Sequence, residues 1–237
     1  APYGKPRYAN LIREKLIKVE EDGSFKLDMS YFNYATGLTM ISKKFEKLFG
    51  GQPRKPETEL TERDMDLAAS IQKVTEDIIV KISKNIKNET GEKNLCLAGG
   101  VALNCVVNGI LVREKIFDNI WIQPASGDAG GALGAALAVW HLHYNKARFV
   151  SSKRDEMKGA YLGPEYSDSE IEANLKNCGA VYKKLSQDDL IEEVSEALVC
   201  GKAIGWMQGK MEFGPRALGG RSIIADPRSA GMQKQLN

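Results

Sequence analysis

The longest regular pattern in the chain runs from Thr61 to Asn88, where Leu67, Ala68, Ile71, Val74, Ile78, Ile82 and Ile86 recur at steps of three and four. That spacing puts them on one stripe of an α-helix, which predicts a long helix burying that stripe. Thr61 followed by Asp64 has the form of a capping box, with the shorter Asp in the usual Glu position. A polar turn, Asn88–Lys93, leads into the first of two short apolar runs, Leu95–Leu97 and Ile120–Ile122, which read as buried strands. Each run is followed by a glycine-containing turn and a helix-period segment, Val101–Arg113 and Ala129–Trp140. Strand, glycine turn and helix N-terminus, used twice, is how α/β domains build a ligand crevice, and the long helix is expected to pack on that sheet.

The flanking segments are shorter. Pro2, Gly4 and Pro6 make the first ten residues a loop. Leu11–Val19 reads as helix passing into strand, Glu20–Ser24 as a turn and Phe25–Met29 as a strand, which together predict a hairpin. The aromatic residues Tyr31, Phe32 and Tyr34 suit a core or interface, with base stacking as the functional alternative. Ser42–Phe49 reads as a short amphipathic helix. In the loop Gly50–Pro56, Arg54 and Lys55 form either a solvated basic face or a phosphate contact. After Trp140 the pattern stops, and polar Asn145–Tyr161 reads as a linker, dividing a first domain, 1–150, from a second, 151–237. In the second, Ser167–Glu170 opens a helix to about Cys178, Ala180–Leu185 is a strand and Asp188–Cys200 a helix. Ala203–Met207 and Ser222–Ala225 are strands, and a fresh helix begins near Asn237.

Composition narrows the function classes. At 237 residues, with 43% hydrophobic and 27% charged residues, the chain is an ordinary globular protein. A formal net charge of +2 gives no pull toward nucleic acid or a membrane surface. No apolar run approaches the ~20 residues of a membrane span, and APYGKPRYAN lacks the apolar core of a signal peptide. Cys96, Cys105, Cys178 and Cys200 form no CxxC pair, so reduced thiols and a cytoplasmic location are expected, with Cys96 inside a buried strand. The two histidines, His141 and His143, lie two apart and point to different helix faces, which rules out a shared metal of the i, i+4 kind.

Three stretches carry candidate chemistry. In Ala98-Gly99-Gly100 the glycines permit positive φ and close approach, and the N–H groups opening the next helix suit an anion. Asn104 and Asn108 share a helix face there and could read a ribose or base; the alternative is a tight turn with solvated amides. In Pro124–Gly131, Asp128 begins a small-residue helix, either as its N-cap or as an exposed carboxylate that could hold a metal or a substrate hydroxyl. Gly130, Gly131 and Gly134 suit close helix packing. In Gln208–Pro227, Lys210, Arg216 and Arg221 sit among glycines, which suggests an anion site. The alternative is a surface loop with ion pairs to Glu212 and Asp226.

Taken together, LAGGVALN (97–104), PASGDAGGALGAAL (124–137) and GKMEFGPRALGGRSIIADPR (209–228) resemble the nodulation-protein-U type O-carbamoyltransferases, in the family's order and across essentially the whole chain. The resemblance implies the latter half of an actin-like ATPase (ribonuclease H-like) domain, followed by the start of a smaller α/β carbamoyltransferase domain. It implies that carbamoyl phosphate and ATP form carbamoyl-adenylate with release of pyrophosphate, and that the carbamoyl group then passes to a hydroxyl of a small-molecule acceptor of nodulation-factor or antibiotic type. By the same resemblance Gly99, Gly100, Asn104, Asp128 and Gly130 would hold the nucleotide. Lys210, Arg216, Arg221 and Ser222 would bind ATP or carbamoyl phosphate. Asp128 would be a ligand of a divalent metal, iron or else magnesium, and Asp128 and Arg216 would act in catalysis.

Two departures accompany the resemblance. The family usually has Asn where this chain has Gly220. Its metal-binding histidines lie in an HHxxH-like motif upstream of residue 1, so the chain is expected to be an excised piece that neither holds iron through Asp128 alone nor catalyses by itself. No nucleic-acid or membrane partner is expected, and a homo-oligomer is compatible with the sequence. The competing readings are an actin-like ATPase or kinase without carbamoyl chemistry, a tRNA threonylcarbamoylation enzyme, for which the chain lacks a basic cluster, and a non-catalytic binding module.

Overall fold

A computed structural model describes residues 1–56, 58–150 and 155–236. The fold is mixed α/β. The chain falls into two compact units, Ala1–Leu97 with Val101–Trp121, and Ala98–Gly100 with Ile122–Asn237.

The first unit is built on the long helix. In order come α1 (Ala9–Lys15), β1 (Ile17–Val19), β2 (Phe25–Leu27), α2 (Lys43–Leu48), α3 (Glu62–Thr90), β3 (Asn94–Leu97), α4 (Cys105–Glu114) and β4 (Asn119–Ile122). The capping box of α3 forms as expected: Thr61 Oγ1 accepts the Asp64 N–H and the Asp64 carboxylate accepts the Thr61 N–H. Gly91 ends the helix at φ +67°, the left-handed conformation a C-cap favours. Val74 and Ile78 are buried against Ala9, Ile12, Leu16, Tyr31 and Phe49, while Ile79 and Val80 meet a second cluster of Leu95, Leu111 and Phe117. The expected stripe is corrected at both ends, for Ile71 and Ile86 are exposed while Asp66, Ser70 and Ser83 are buried. Asp66 and Ser70 are covered because the N-terminal loop lies on them. Asp66 accepts the Lys5 N–H at 2.6 Å and pairs with Arg7, and Ser70 Oγ accepts the Tyr8 N–H at 3.0 Å. A Cβ on Gly4 would stand 2.0 Å from the Met65 carbonyl oxygen, so only glycine lets the loop approach this closely.

The expected hairpin forms with register Ile17↔Leu27 and Val19↔Phe25. The aromatic residues take the core role: Tyr31 is buried and Phe32 lies 6.2 Å from Phe45. Arg54 donates to the carbonyls of its own loop at Lys55 and Thr58.

The strands β3 and β4 are hydrogen-bonded neighbours. They are not buried on both faces as expected. Leu95 faces the core while Cys96 and Trp121 are exposed, because a two-stranded sheet covers one side only. Cys96 is therefore not a core thiol, and all four cysteines are free and exposed. The predicted helix Val101–Arg113 is also corrected. Residues Gly100–Leu103 form a 3₁₀ turn, and α4 begins only at Cys105, capped by Asn104.

The second unit contains α5 (Asp128–Ala138), α6 (Asp168–Asn177), α7 (Gln187–Val199), β5 (Ile204–Met207), β6 (Arg221–Ile224) and α8 (Met232–Leu236). A capping box between Ser167 and Glu170 starts α6, and Ser186 caps α7. The strands β5 and β6 are antiparallel, with Ile204↔Ile224 and Met207↔Arg221 in register. Ala180–Leu185 does not form the expected strand, since no neighbour offers it a ladder and Val181 is fully exposed. Helix α5 passes into a π-turn, Val139–His143, and buries none of its side chains. Part of the expected linker, 151–154, lies outside the described residues.

Candidate functional site

Two of the three chemical motifs meet inside the second unit. The connection between β5 and β6 carries Lys210, Glu212 and Arg216. At Gly214 (φ +132°) it lies against the turn that precedes α5: a Cβ there would stand 3.1 Å from the Pro124 carbonyl oxygen and 3.2 Å from Ala125 Cα. The glycine-rich loop and the Asp128 turn are thus in van der Waals contact.

The loop is tied to the segment 160–164 that precedes α6. Phe213 N–H donates to Ala160 O at 2.7 Å, Met211 N–H to Pro164 O at 3.1 Å, and Tyr161 Oη to Leu218 O at 2.5 Å. Glu212 is buried, and its Oε1 accepts N–H bonds from Leu218, Gly220 and Arg221. These bonds, the Leu218 one foremost, pull its carboxyl well below the usual range, to about 2. The Arg221 guanidinium is directed at carbonyl oxygens of Gln208, Gly209, Gly220 and Pro164. Ser222 Oγ accepts the Gly219 N–H. Arg221 and Ser222 therefore hold the loop together, whereas Lys210 and Arg216 are exposed and pair with no side chain among the described residues. The surface-loop alternative required ion pairs to Glu212 and Asp226. Neither forms with these cations, because backbone amides engage Glu212 and Arg228 holds Asp226 at 2.6 Å.

In the Asp128 turn, the N-cap is Gly127, not Asp128. Asp128 opens the first turn of α5 with an exposed carboxylate and, among the described residues, no hydrogen bond to its side chain. Two residues on, Gly130 has a packing reason: its Cβ would stand 1.9 Å from the Ala125 carbonyl oxygen. Ala125 and Ser126 are buried, and Ser126 Oγ donates to the Gln123 carbonyl.

At the first glycine turn, Gly99 takes φ +94°, and a Cβ on either Gly99 or Gly100 would have no atom within 4 Å, so the turn opens on free space. Both glycines belong to the second unit and Asn104 to the first. The Asn104 amide is largely engaged. Its Oδ1 accepts from Val107 N and Gln72 Nε2, and its Nδ2 donates to Gln72 Oε1 at 2.9 Å, leaving one N–H. Asn108 donates to the Ala102 carbonyl. Sequence reading missed Gln72 and Tyr161 as supports, since each acts across a long stretch of chain, and it saw Glu212 only as an ion-pair partner.

Among the described residues, no group of three His, Cys, Asp or Glu side chains is placed to hold a metal ion. Asp128 offers a single carboxylate, which falls short of a divalent-metal site. Among the same residues no helix is long and apolar enough to cross a membrane.

Comparison with known proteins gives two family matches. The family model described as carbamoyltransferase N-terminus matches residues 1–137, and that described as carbamoyltransferase C-terminus matches residues 195–237. An uncharacterized protein of Synechocystis sp. is 56% identical over the whole chain, which covers 39% of that relative. Nodulation protein NolNO of Sinorhizobium fredii is 37% identical over the whole chain, covering 33% of its length. Nodulation protein NolO of Bradyrhizobium diazoefficiens is 34% identical, with 40% covered. The chain thus spans between a third and two fifths of the length of these relatives.

Proposed function

This chain belongs to the carbamoyltransferase family, and on that premise we propose that it forms part of an O-carbamoyltransferase acting on a hydroxyl-bearing small molecule. The proposed donor reaction joins carbamoyl phosphate and ATP into carbamoyl-adenylate. Atom balance with one water then requires both pyrophosphate and inorganic phosphate to leave. In the second half-reaction the acceptor hydroxyl attacks the carbamoyl carbon, its proton departs and AMP is released. An actin-like ATPase fold for the region that includes the first unit is part of the same proposal.

The observation that carries this reading is the contact between the Gly214 loop and the Pro124–Ala125 turn. It brings the segment bearing Lys210 and Arg216 against the segment bearing Asp128. Phosphate oxygens need cations and oriented donors, and Arg216 and Lys210 are the loop cations that pair with no side chain among the described residues. Asp128, exposed at the start of α5, is suited to accept a hydrogen bond from the acceptor hydroxyl or to supply one ligand to a metal completed by residues outside this chain. Such a metal would polarise the carbamoyl carbonyl. Gly99, Gly100 and the remaining N–H of Asn104 are proposed for the nucleotide. Arg221 and Ser222 contribute by holding the loop, and Gly130 by seating α5. The names of the nodulation relatives favour an acceptor of nodulation-factor type.

The test is pyrophosphate release from ATP by the full-length protein, with and without carbamoyl phosphate. Release that requires carbamoyl phosphate supports the proposal. Phosphate release indifferent to carbamoyl phosphate would replace it with a plain ATPase or kinase. Unchanged pyrophosphate release in Arg216→Ala, together with unchanged carbamoyl transfer to the acceptor in Asp128→Ala, would remove the site assignment.

A further inference from the structure

The β5–β6 connection is folded around one carboxylate. Glu212 is 9% exposed, and its Oε1 receives the N–H groups of Leu218 at 2.7 Å, Gly220 at 2.7 Å and Arg221 at 3.2 Å. Amides converging on one point form an anion-binding concavity. Here the concavity is filled from within the chain. The backbone that builds it includes Gly219 at φ +106°, a conformation that L side chains rarely adopt. Gly220 lets the loop close, since a Cβ there would meet the Lys210 carbonyl oxygen at 2.5 Å and Glu212 Oε2 at 3.1 Å. No lysine or arginine among the described residues forms an ion pair with Glu212.

A carboxylate beside a phosphate site normally repels the ligand. This one is shielded by burial and by three amide dipoles, while the loop shows Lys210 and Arg216 to solvent. We propose that Glu212 is the positioning residue of the anion-binding loop: its carboxylate saturates the inward amides of Leu218, Gly220 and Arg221 and so fixes the segment that presents Arg216. This rests on the reading of the loop as the site for carbamoyl phosphate or ATP. The role differs from a merely structural one in what it controls. It sets the affinity for the phosphate-bearing substrates and leaves the acceptor hydroxyl site alone.

The experiment measures kcat and KM for ATP, carbamoyl phosphate and acceptor in the full-length protein, for Glu212→Ala, Glu212→Asp, Glu212→Gln and Arg216→Ala. Loss of charge-assisted hydrogen bonds raises KM for a phosphate-bearing substrate on the order of ten-fold or more in Glu212→Ala, with acceptor KM unchanged. Glu212→Gln, whose amide oxygen reaches the same three N–H groups, recovers most of that affinity. Glu212→Asp is one methylene short and does not, which keeps the test decisive should the alanine variant fail to fold. If Arg216→Ala raises KM while Glu212→Ala and Glu212→Asp leave it unchanged, the positioning role is overturned and the anion site stands. If Arg216→Ala also leaves every KM unchanged, the anion-site reading itself fails. A fall in kcat and thermal stability with unaltered KM would make Glu212 a structural residue only.

Discussion

Gly130→Ala and Gly131→Ala set two effects against each other on neighbouring residues of one helix. Both exchanges replace the poorest non-proline helix former with the best, worth about 0.8–1.0 kcal/mol in a helix interior. At Gly131 nothing lies within 4 Å of the added Cβ, so the propensity gain is realised in full. At Gly130 the new methyl would stand 1.9 Å from the Ala125 carbonyl oxygen, an atom of a fully buried residue that has no flexible end to swing away. Either α5 or the 124–126 turn must retreat by roughly an ångström, and overpacking of this kind costs about 1–3 kcal/mol. The steric cost wins. Gly130→Ala is expected to lower stability by up to about 2 kcal/mol and Gly131→Ala to raise it by up to about 1 kcal/mol. For a chain of this size that is a fall of up to about 8 °C in Tm against a rise of up to about 4 °C. Thermal unfolding of the two variants side by side reads the difference. Because Asp128 lies on the same turn, carbamoyl transfer to the acceptor should fall in Gly130→Ala and hold in Gly131→Ala. A Gly130→Ala protein stabilised as much as Gly131→Ala would refute the close approach of α5 to Ala125.

Two further expectations concern titration and capping. The carboxyls of Glu212 and Asp226 are both held near 2 in the folded chain, below their ordinary 4.5 and 3.8, so their stabilisation is complete above about pH 5 and is lost as pH falls toward 2; Glu212→Gln should remove its share of that acid loss in a fluorescence-monitored titration. At the start of α4, Asn104→Ala removes the cap on Val107 and the Gln72 pair and should cost about 1–2 kcal/mol in thermal unfolding. Asn104→Asp keeps the cap but deletes the remaining donor, so an unchanged nucleotide affinity in that variant would count against Asn104 as a nucleotide ligand.

What could be read from the chain beforehand follows the range of the forces involved. Capping of α3 depends on Thr61 and Asp64, three residues apart, and the hairpin on Glu20–Ser24, so both were legible. The burial of Asp66 and Ser70 was not, because no periodicity marks a polar side chain that partners a backbone sixty residues away. The strand reading of Ala180–Leu185 rested on composition, which cannot supply the neighbour a ladder needs. At Gly99-Gly100 the glycines signalled the turn correctly, but the 3₁₀ segment that follows is set by Asn104 claiming the cap three residues later. In the loop 208–221 the cations were visible as charges. Which of them the fold consumes was not: Arg221 faces carbonyl oxygens and Arg216 faces water.

The anchor of the N-terminal loop on α3 has a consequence for the order of folding. In the first unit α1 meets β1, β1 meets β2 and α3 meets α4, short closures that are fast, while α1 packs on α3 from far along the chain. The bonds from Lys5 to Asp66 and from Tyr8 to Ser70 close loops of about sixty residues and must wait until α3 exists. During synthesis the first eight residues therefore emerge long before the surface that receives them, with Gly4 unable to seat until the Met65 backbone is helical. These residues are among the last of the first unit to find their place, and protection of the Lys5 and Tyr8 amides from exchange serves as a clock for completion of that unit.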